Sequence, residues 1–319
     1  MPSTVEVLVA TYNGQAYLPA LLDSLLNQTV SVQIIIRDDR SSDQTPSIID
    51  AYKEEYPEQI THISNNGGPT GAAHNFSQLL TASKAPYVLL ADQDDVWDLD
   101  KIALSLAEMQ RKEQEFGIFT PILVHTDLRV VDQDLKLLAT SFLGFQGLDP
   151  GRQRVADLIG QNVVTGCTAM LNRALCQKAI PVPDTAVMHD WWIALVAASL
   201  GKIGFIPRST VSYRQHNTNT LGAQKKGWGM VSRYALPMLS RTECAALVTP
   251  IVMQAEALLN IHGAALLLKD RATCKAISKI RDAGPLERIA TAKRFGIQKH
   301  GYLKNIAFYW SLIYGNFRK

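Results

Sequence analysis

Short apolar runs alternate with longer amphipathic segments along the first third of the chain. Residues 5–10 and 32–37 are rich in β-branched side chains and end in polar residues, a pattern that favours buried strands. Between them, apolar residues recur at helical spacing at Ala16, Leu18, Leu21, Leu22, Leu25 and Leu26. This pattern predicts a strand, a helix and a second strand, as in α/β folds.

The same alternation continues to about residue 95. Thr45 is predicted to cap a helix that starts at Pro46 and runs to about Tyr56, and residues 60–63 form a third predicted strand. A glycine-rich stretch at 65–71 precedes a helix over about 72–83 and a fourth strand over 87–91. Strands and helices that alternate in this way are typical of a mainly parallel sheet flanked by helices.

Polar segments directly follow three of these strands. They are Thr11-Tyr12-Asn13, Asp38-Asp39 and Asp92-Gln93-Asp94-Asp95. Ligands of open α/β sheets bind outside the carboxyl ends of the strands. We therefore expect the three segments to meet in one crevice.

Three carboxylates, Asp92, Asp94 and Asp95, crowd the end of the fourth strand. Like charges at this spacing repel, and a divalent cation would neutralise them. Oxygen ligands with few nitrogen or sulfur neighbours suit Mn²⁺ or Mg²⁺. An exposed acidic turn before a helix is the alternative interpretation, and these residues alone leave both open.

Three motifs in this order resemble the family 2 glycosyltransferases. They are residues 9–14 (Val-Ala-Thr-Tyr-Asn-Gly), 36–45 (Ile-Arg-Asp-Asp-Arg-Ser-Ser-Asp-Gln-Thr) and 90–97 (Leu-Ala-Asp-Gln-Asp-Asp-Val-Trp). The resemblance covers roughly residues 5–216. It implies a GT-A fold, with a Rossmann-like mixed sheet flanked by helices, and inverting transfer of a sugar from a nucleotide-diphosphate donor.

The resemblance also implies roles for single residues. Thr11 and Tyr12 would flank the nucleotide base, Asp39 would accept a hydrogen bond from the base imide, and Asp92 would lie by the ribose. Asp94 would ligate the cation. Arg214 or His216, which follow a predicted strand, could reach the diphosphate or the cation, and an ordinary hydrogen-bonded role is the alternative for His216. The other residues implied on the donor side are Asn13, Asn75 and Gln93. This chain has His74 where many relatives carry an arginine, so no arginine contact is implied there.

A further motif, His189-Asp190-Trp191-Trp192, opens an apolar helical segment. Asp190 resembles the catalytic carboxylate of inverting members, which takes the proton of the acceptor hydroxyl as general base. Trp191 and Trp192 are then predicted to form an acceptor-side wall for a sugar face. On the residues alone, Asp190 could equally cap the helix with both tryptophans in the core.

Composition limits the protein class. The chain has 319 residues, of which 47% are hydrophobic and 19% charged, as in globular proteins. Its four cysteines show no metal-site or disulfide spacing, and its first residues show no secretory signal, so we expect a cytoplasmic protein. The longest apolar stretch, residues 245–268, is interrupted by polar residues, and no transmembrane helix is predicted.

Charge divides the chain into two parts. Residues 1–222 hold 16 Lys/Arg against 24 Asp/Glu, whereas residues 223–319 hold 16 against 5. We therefore predict a catalytic domain over 1–222 and a basic, mainly helical region over 223–319. Basic residues interleaved with aromatic residues suit the inner face of an anionic membrane, although these aromatics could instead pack on the catalytic domain. No nucleic-acid-binding motif is present, so nucleic acid is not an expected partner.

The motifs look most like those of bacterial rhamnosyltransferases that build O-antigen or capsular polysaccharide. This resemblance implies dTDP-L-rhamnose as donor and a polyprenyl-diphosphate-linked glycan as acceptor, with UDP-sugars as the alternative donors. A nucleotidyltransferase would need a basic glycine-rich loop after the first strand, where this chain has Thr11-Tyr12-Asn13-Gly14. A non-catalytic nucleotide-sugar-binding membrane scaffold is the remaining alternative.

Overall fold

The computed structural model describes residues 5–65, 67, 70–216 and 240–317. Within these ranges the strands are β1 (Val5–Thr11), β2 (Gln33–Asp38), β3 (Ile60–His62), β4 (Tyr87–Asp92), β5 (Val96–Trp97), β6 (Ile122–Val131), β7 (Leu137–Ala139), β8 (Ala169–Asn172) and β9 (Lys202–Arg214). The predicted domain boundary at Gly222 and part of the glycine-rich stretch, Asn66, Gly68 and Pro69, lie outside the described residues.

Helices cover the sheet and form most of the part after residue 240. They are α1 (Leu18–Leu26), α2 (Thr45–Glu55), α3 (Ala72–Ala82), α4 (Lys101–Phe116), α5 (Phe142–Gln146), α6 (Val155–Gly160), α7 (Arg173–Ala179), α8 (His189–Leu200), α9 (Arg241–His262), α10 (Leu268–Ser278), α11 (Pro285–Phe295) and α12 (Tyr302–Tyr314). The helical character predicted for the C-terminal region is confirmed for these residues.

The strands form one mixed sheet in the order β3-β2-β1-β4-β8-β6-β9-β5, with β7 on β6. The first four strands run parallel, and β8 is antiparallel to both of its neighbours. The predicted strands and helices of the first 92 residues are present, with ends within two residues of the prediction. One cap differs: α2 begins at Thr45 itself, and the Thr45 amide donates to Asp43 Oδ1.

Alternation along the strands divides the core between the two faces of the sheet. Val5, Val7 and Val9 of β1 pack on one face with α1 and α2, whereas Leu8 packs on the other face with α3 and α8. Side chains of a strand alternate between faces, so a strand buried on both sides reads as a continuous apolar run. This is why residues 7–10 are apolar without interruption.

The parallel register brings the predicted polar segments together. Thr11 of β1 pairs with Asp38 of β2, and Ala10 pairs with Asp92 of β4. Because the three strands run in the same direction, their carboxyl ends meet at one edge of the sheet. The predicted convergence at this edge is therefore confirmed.

The C-terminal helices pack against the part of the chain that precedes residue 217. Helices α9 and α10 contact α6, and their apolar residues belong to the same core as Trp192 of α8. Phe308 and Phe317 are buried in this core, whereas Tyr302 is 81% exposed. Part of the aromatic pattern therefore serves packing, and part of it remains on the surface.

Helix α9 is the one helix among the described residues that is long and apolar enough to cross a bilayer. In its most apolar window, 44% of the residues are buried within the protein. Gln254 is fully buried, and Pro250 lies inside the helix. Core helices of globular proteins share this length and composition, so the criterion alone does not indicate a membrane span.

Candidate active site

A cavity of about 1160 Å³ lies at the carboxyl edge of β1, β2 and β4. Ten of the predicted site residues line it: Thr11, Tyr12, Asn13, Asp39, Asn75, Asp92, Gln93, Asp94, Asp190 and His216. A cavity of this size, with convergent polar groups, is suited to a ligand as large as a nucleotide sugar.

The turn after β1 is held by the loop after β2. Asn13 has a positive φ of 49°, a conformation that Asn adopts more readily than most residues. Its amide donates to Ser41 Oγ at 2.7 Å, and its side-chain Oδ1 accepts from the Ser42 amide at 2.8 Å. The amide of Gly14 donates to Thr45 Oγ1. These bonds order the turn before any ligand is present.

The Gln93 side chain holds the same turn from the acidic segment. Its Oε1 accepts from the Tyr12 amide and its Nε2 donates to the Tyr12 carbonyl, both at 2.8 Å. Gln93 therefore orients the backbone of Tyr12, whose side chain is 52% exposed at the cavity. An exposed aromatic ring on a fixed backbone is a suitable surface on which a nucleotide base can stack.

Gly14→Ala is expected to destabilise this turn. An added Cβ would overlap the side-chain amide of Gln93, which contacts Tyr12. The Gln93 amide would have to move away and would lose its two hydrogen bonds to the Tyr12 backbone. At about 0.5–1.5 kcal/mol for each bond, the free energy of unfolding in urea should fall by about 1–3 kcal/mol. Gly284→Ala is the matched control, because a Cβ there meets nothing within 4 Å. An equal loss in both variants would contradict the predicted clash.

Asp39 is buried and saturated with hydrogen bonds from its own chain. Its carboxylate accepts from Asn65 Nδ2, from the Thr70 amide and hydroxyl, and from the Gly71 amide, at 2.8–3.1 Å. In this structure Asp39 thus fixes the start of α3. A base imide would have to share or replace one of these donors.

An arginine does reach this side of the site, but from β2. Arg37 Nη1 donates to Asn75 Oδ1 at 2.8 Å, and Asn75 Nδ2 donates to the Arg37 carbonyl. Both atoms of the Asn75 amide are therefore engaged with Arg37. His74 is exposed and contacts Gln78 instead.

Two of the three clustered carboxylates face the cavity. Asp92 and Asp94 line it together with Asp190. Burial, and then the charges of Asp94 and Asp190, raise the pKa of Asp92 to about 7. Three carboxylates within electrostatic reach of one another across a cavity favour the binding of a cation.

Asp95 faces the interior instead. It is fully buried, and neither carboxylate oxygen has a hydrogen-bond partner among the described residues. Burial, and then the charges of Asp94 and Asp92, raise its pKa well above the usual range. The buried Lys101, which lies 4.4 Å from the Trp97 ring centroid, acts electrostatically on Asp95 and Cys167.

Two groups of side chains could hold a cation. Asp94 Oδ2 and His216 Nε2 lie 2.7 Å apart at the cavity. A second group is formed by Asp92, Asp95 and Cys167, whose ligand atoms all lie within 4.8 Å of one another. Burial raises the pKa of the Cys167 thiol, and a thiol is a poor ligand for hard cations. The pair at the cavity therefore fits Mn²⁺ or Mg²⁺ better.

Arg214 is not part of the cavity lining. Its Nε donates to the Asp94 carbonyl at 3.0 Å and its Nη1 donates to the Gln133 carbonyl at 2.6 Å. Arg214 is buried. In this structure it supports the acidic segment from behind.

Asp190 lies at the start of α8 with both oxygens anchored. Oδ1 accepts from the Trp191 amide at 2.6 Å and Oδ2 accepts from the Gly166 amide at 3.2 Å. Burial raises the pKa of Asp190 to about 6, although these hydrogen bonds oppose the shift. Burial also lowers the pKa of the neighbouring His189 to about 3, so His189 is neutral. The geometry and pKa suit Asp190 to general-base catalysis near neutral pH.

Trp192 belongs to the core, and the partly buried Trp191 packs against it. Trp192 is fully buried and its Nε1 donates to the Ala179 carbonyl, whereas Trp191 Nε1 donates to the Leu158 carbonyl. Neither lines the cavity, because both side chains pack against neighbouring elements of the core. The predicted acceptor-side wall is therefore not formed by these two residues. On this side the structure instead places Thr165 and Gly166, which resemble the glycine-containing turn near the acceptor in the family 2 glycosyltransferases, and a segment that the sequence did not indicate, residues 161–164.

Sequence reasoning also missed Tyr17 and Phe142, which line the cavity. Tyr17 immediately follows the turn at Asn13 and Gly14, and this position was the available signal. Phe142 lies in a segment without a motif, and nothing in the sequence indicated it.

Comparison with known proteins gives consistent results. A family model described as glycosyl transferase family 2 matches residues 6–178. The chain is 26% identical over 216 residues to the uncharacterized protein Rv1520 of Mycobacterium tuberculosis, covering 66% of this chain and 59% of that protein. It is 27% identical over 221 residues to the dTDP-rhamnosyl transferase RfbG of Shigella flexneri, covering 67% of this chain and 74% of that protein. The chain thus spans less than two thirds of the first of these relatives.

Two solved structures share the fold at low identity. TarS residues 1–349 of Staphylococcus aureus superimposes with a TM-score of 0.57 at 16% identity, covering 92% of this chain and 72% of that one. The mannosyltransferase PcManGT of Pyrobaculum calidifontis, solved in complex with GDP-Man and Mn²⁺, gives a TM-score of 0.52 at 17% identity, covering 92% and 87%.

Proposed function

Because the chain belongs to glycosyl transferase family 2 and is a glycosyltransferase with a GT-A-type fold, we propose that it transfers a sugar with inversion and that Asp190 is its general base. The observation that carries this proposal is the placement of Asp190 on the same cavity as Asp92 and Asp94. The charge of Asp190 also contributes to the raised pKa of Asp92. Base and acidic segment are thus close enough to act on one bound donor.

In the proposed reaction, Asp190 accepts the proton of the acceptor hydroxyl. The hydroxyl oxygen forms a bond to the anomeric carbon, and the bond from that carbon to the diphosphate oxygen breaks with its electron pair on the diphosphate. The Trp191 and Gly166 amides hold the carboxylate in place for this transfer. A single displacement inverts the anomeric configuration.

Asp94 and His216 are the proposed ligands of Mn²⁺ or Mg²⁺. Their ligand atoms lie side by side, 2.7 Å apart in a hydrogen bond that a bound cation would replace. When bound there, the cation would stabilise the charge that develops on the leaving diphosphate. The proposed donor contacts are Thr11, Tyr12, Asn13, Asp39, Asn75, Asp92 and Gln93, which line the cavity. Arg214, which the resemblance also implied as a donor contact, lies outside this lining and is not retained.

The proposed donor is dTDP-L-rhamnose, with UDP-sugars as the alternative. Similarity to a dTDP-rhamnosyl transferase supports this choice. Pocket shape decides sugar identity, so the choice needs a direct test. Release of nucleoside diphosphate should be measured for a panel of dTDP- and UDP-sugars with Mn²⁺ or with EDTA.

We expect slow, Mn²⁺-dependent release of nucleoside diphosphate from one donor of the panel. If only a UDP-sugar is turned over, the proposed donor is wrong, but the assignment as a glycosyltransferase stands. Binding of a donor without turnover, in the presence of polyprenyl-diphosphate-linked glycan, would favour the non-catalytic scaffold. If no donor of the panel is either bound or turned over, the proposal is overturned.

The rate of transfer is expected to fall as pH decreases through about 6. A general base must be ionised, and burial places the pKa of Asp190 at about 6. Above that value the base is present as carboxylate, and below it the base is progressively protonated. Burial is the largest cause of this raised pKa, and hydrogen bonds from the Trp191 and Gly166 amides oppose it. A kcat profile from pH 5 to 8 that is flat would contradict this assignment.

We further propose that the C-terminal region docks on the inner face of the cell membrane, where a polyprenyl-diphosphate-linked acceptor is presented. Lys293 and Arg294 are exposed in the last turn of α11. Leu286, Tyr302 and Leu303 are exposed at 84%, 81% and 54% in the same part of the chain. Exposed basic and apolar groups together suit an anionic lipid surface.

Lys293→Glu with Arg294→Glu is expected to weaken binding to phosphatidylglycerol vesicles. Each basic residue near an anionic surface contributes about 1 kcal/mol, so removal of both lowers affinity by about 30-fold or more. Lys53→Glu with Lys84→Glu, at exposed positions of the catalytic part, is the matched control. Equal flotation of both variants with vesicles would count against a membrane-facing C-terminal region.

A further inference from the structure

Tyr17 lies between the turn after β1 and the last residues of the catalytic part. Its ring centroid is 5.0 Å from that of the His216 imidazole, with an angle of 29° between the planes. The guanidinium carbon of Arg214 lies 4.6 Å from the same tyrosine ring centroid. Tyr17 also lines the cavity. One aromatic ring therefore contacts two residues that are about 200 positions away in sequence.

Both of these contacts lead to Asp94. His216 Nε2 lies 2.7 Å from Asp94 Oδ2, and Arg214 Nε donates to the Asp94 carbonyl at 3.0 Å. One residue thus meets the carboxylate of Asp94 and the other meets its backbone. Tyr17 packs on both.

Tyr17 is itself held in place. Its amide and the amide of Leu18 both donate to the Gly14 carbonyl at 3.0 Å, and the Gly14 amide donates to Thr45 Oγ1. The turn that presents Tyr12 to the cavity therefore also sets the position of Tyr17. This turn connects the base side of the cavity to the corner formed by Asp94 and His216.

We propose that Tyr17 is a positioning residue for the cation site, acting through His216 and Arg214. The inference rests on the proposed function, because it takes Asp94 and His216 as the cation ligands. An imidazole ligates a metal through an in-plane lone pair, so rotation of the ring moves that lone pair off the cation. A stacked neighbour restricts this rotation, and groups that orient metal ligands typically change affinity 10- to 100-fold when removed. The guanidinium is held over the same ring by a cation–π interaction.

The test is the affinity of the full chain for Mn²⁺ in the presence of dTDP and, in a parallel series, of UDP, measured by electron paramagnetic resonance. Tyr17→Leu is expected to weaken Mn²⁺ binding by about tenfold. Tyr17→Phe keeps the stacked ring and should remain within about twofold of the wild type. Tyr52→Leu is the matched control, since Tyr52 is also a stacked tyrosine and donates to the Pro19 carbonyl of α1, but it does not line the cavity.

A double-mutant cycle separates positioning from general packing. If Tyr17 acts mainly through His216, Tyr17→Leu should add little to the loss caused by His216→Gln. Full additivity, or an equal loss in Tyr52→Leu, would overturn the inference. If Tyr17→Leu does not fold, Tyr17→Met repeats the measurement with a flexible side chain that can fill the space.

The outcomes also distinguish this inference from the proposed function. If the wild type binds no Mn²⁺ with either dTDP or UDP, the cation is removed from the proposed function and this inference fails as well. Binding by the wild type without any loss in Tyr17→Leu would overturn the positioning role alone.

Discussion

Asp190→Asn is expected to lower kcat by about 10³-fold, within the range of 10²–10⁴ for the loss of a general base. Asparagine has nearly the same shape as aspartate, so its Oδ1 can still accept a hydrogen bond at the start of α8. It cannot take a proton from the acceptor hydroxyl. The measurement is release of nucleoside diphosphate under saturating donor and Mn²⁺.

Donor affinity separates this effect from a damaged site. The Kd for the donor should stay within about twofold of the wild type, because Asp190 acts on the acceptor. Asp184→Asn, an exposed position in the preceding loop that does not line the cavity, should leave kcat unchanged. Retention of most activity in Asp190→Asn would show that another group is the base.

Asp94→Asn is expected to abolish Mn²⁺-dependent turnover, with a loss of at least about a hundredfold. Cation stabilisation of a developing negative charge contributes several kcal/mol, and each 1.36 kcal/mol is tenfold in rate. The substitution removes the charge of a carboxylate that lies 2.7 Å from His216 Nε2. Mn²⁺ binding in the presence of dTDP or UDP should weaken in parallel.

The control for this substitution is a carboxylate outside the site. Asp134→Asn changes an exposed residue of the turn between β6 and β7, and both Mn²⁺ affinity and turnover should remain unaltered. Thermal unfolding of Asp94→Asn should occur at or above the wild-type temperature, because the substitution relieves repulsion with Asp92. If the Mn²⁺ dependence of Asp94→Asn is unchanged, the cation site is instead assigned to the group formed by Asp92, Asp95 and Cys167.

The order of elements in the first 92 residues could be read from the sequence. The largely apolar run at residues 5–10 and the helical spacing from Leu18 to Leu26 place apolar side chains on the buried faces of a strand and a helix. This periodicity is visible within a short stretch of sequence. Polar segments at the ends of β1, β2 and β4 had to meet, because parallel strands place their carboxyl ends at one edge. Family motifs then added the expected roles of Asp94 and Asp190, which remain proposals.

Other features could not be read in this way. Asp94 and Asp95 are adjacent, yet one faces the cavity and the other is fully buried beside Cys167. Gln93 binds the backbone of Tyr12 across 81 residues. The direction in which each side chain leaves this turn depends on its backbone conformation and on elements from distant parts of the chain.

The sequence by itself thus determined the α/β class, the family and the edge of the sheet that carries the site, because periodicity and strand direction are local properties. Only the tertiary structure decided that Asp95 turns inward, that Trp192 is a core residue, and that Tyr17 packs against His216. These outcomes depend on which surfaces meet when β9 and α8 join the sheet. Contacts between residues far apart in sequence leave no periodic pattern, so they appear only once the chain has folded.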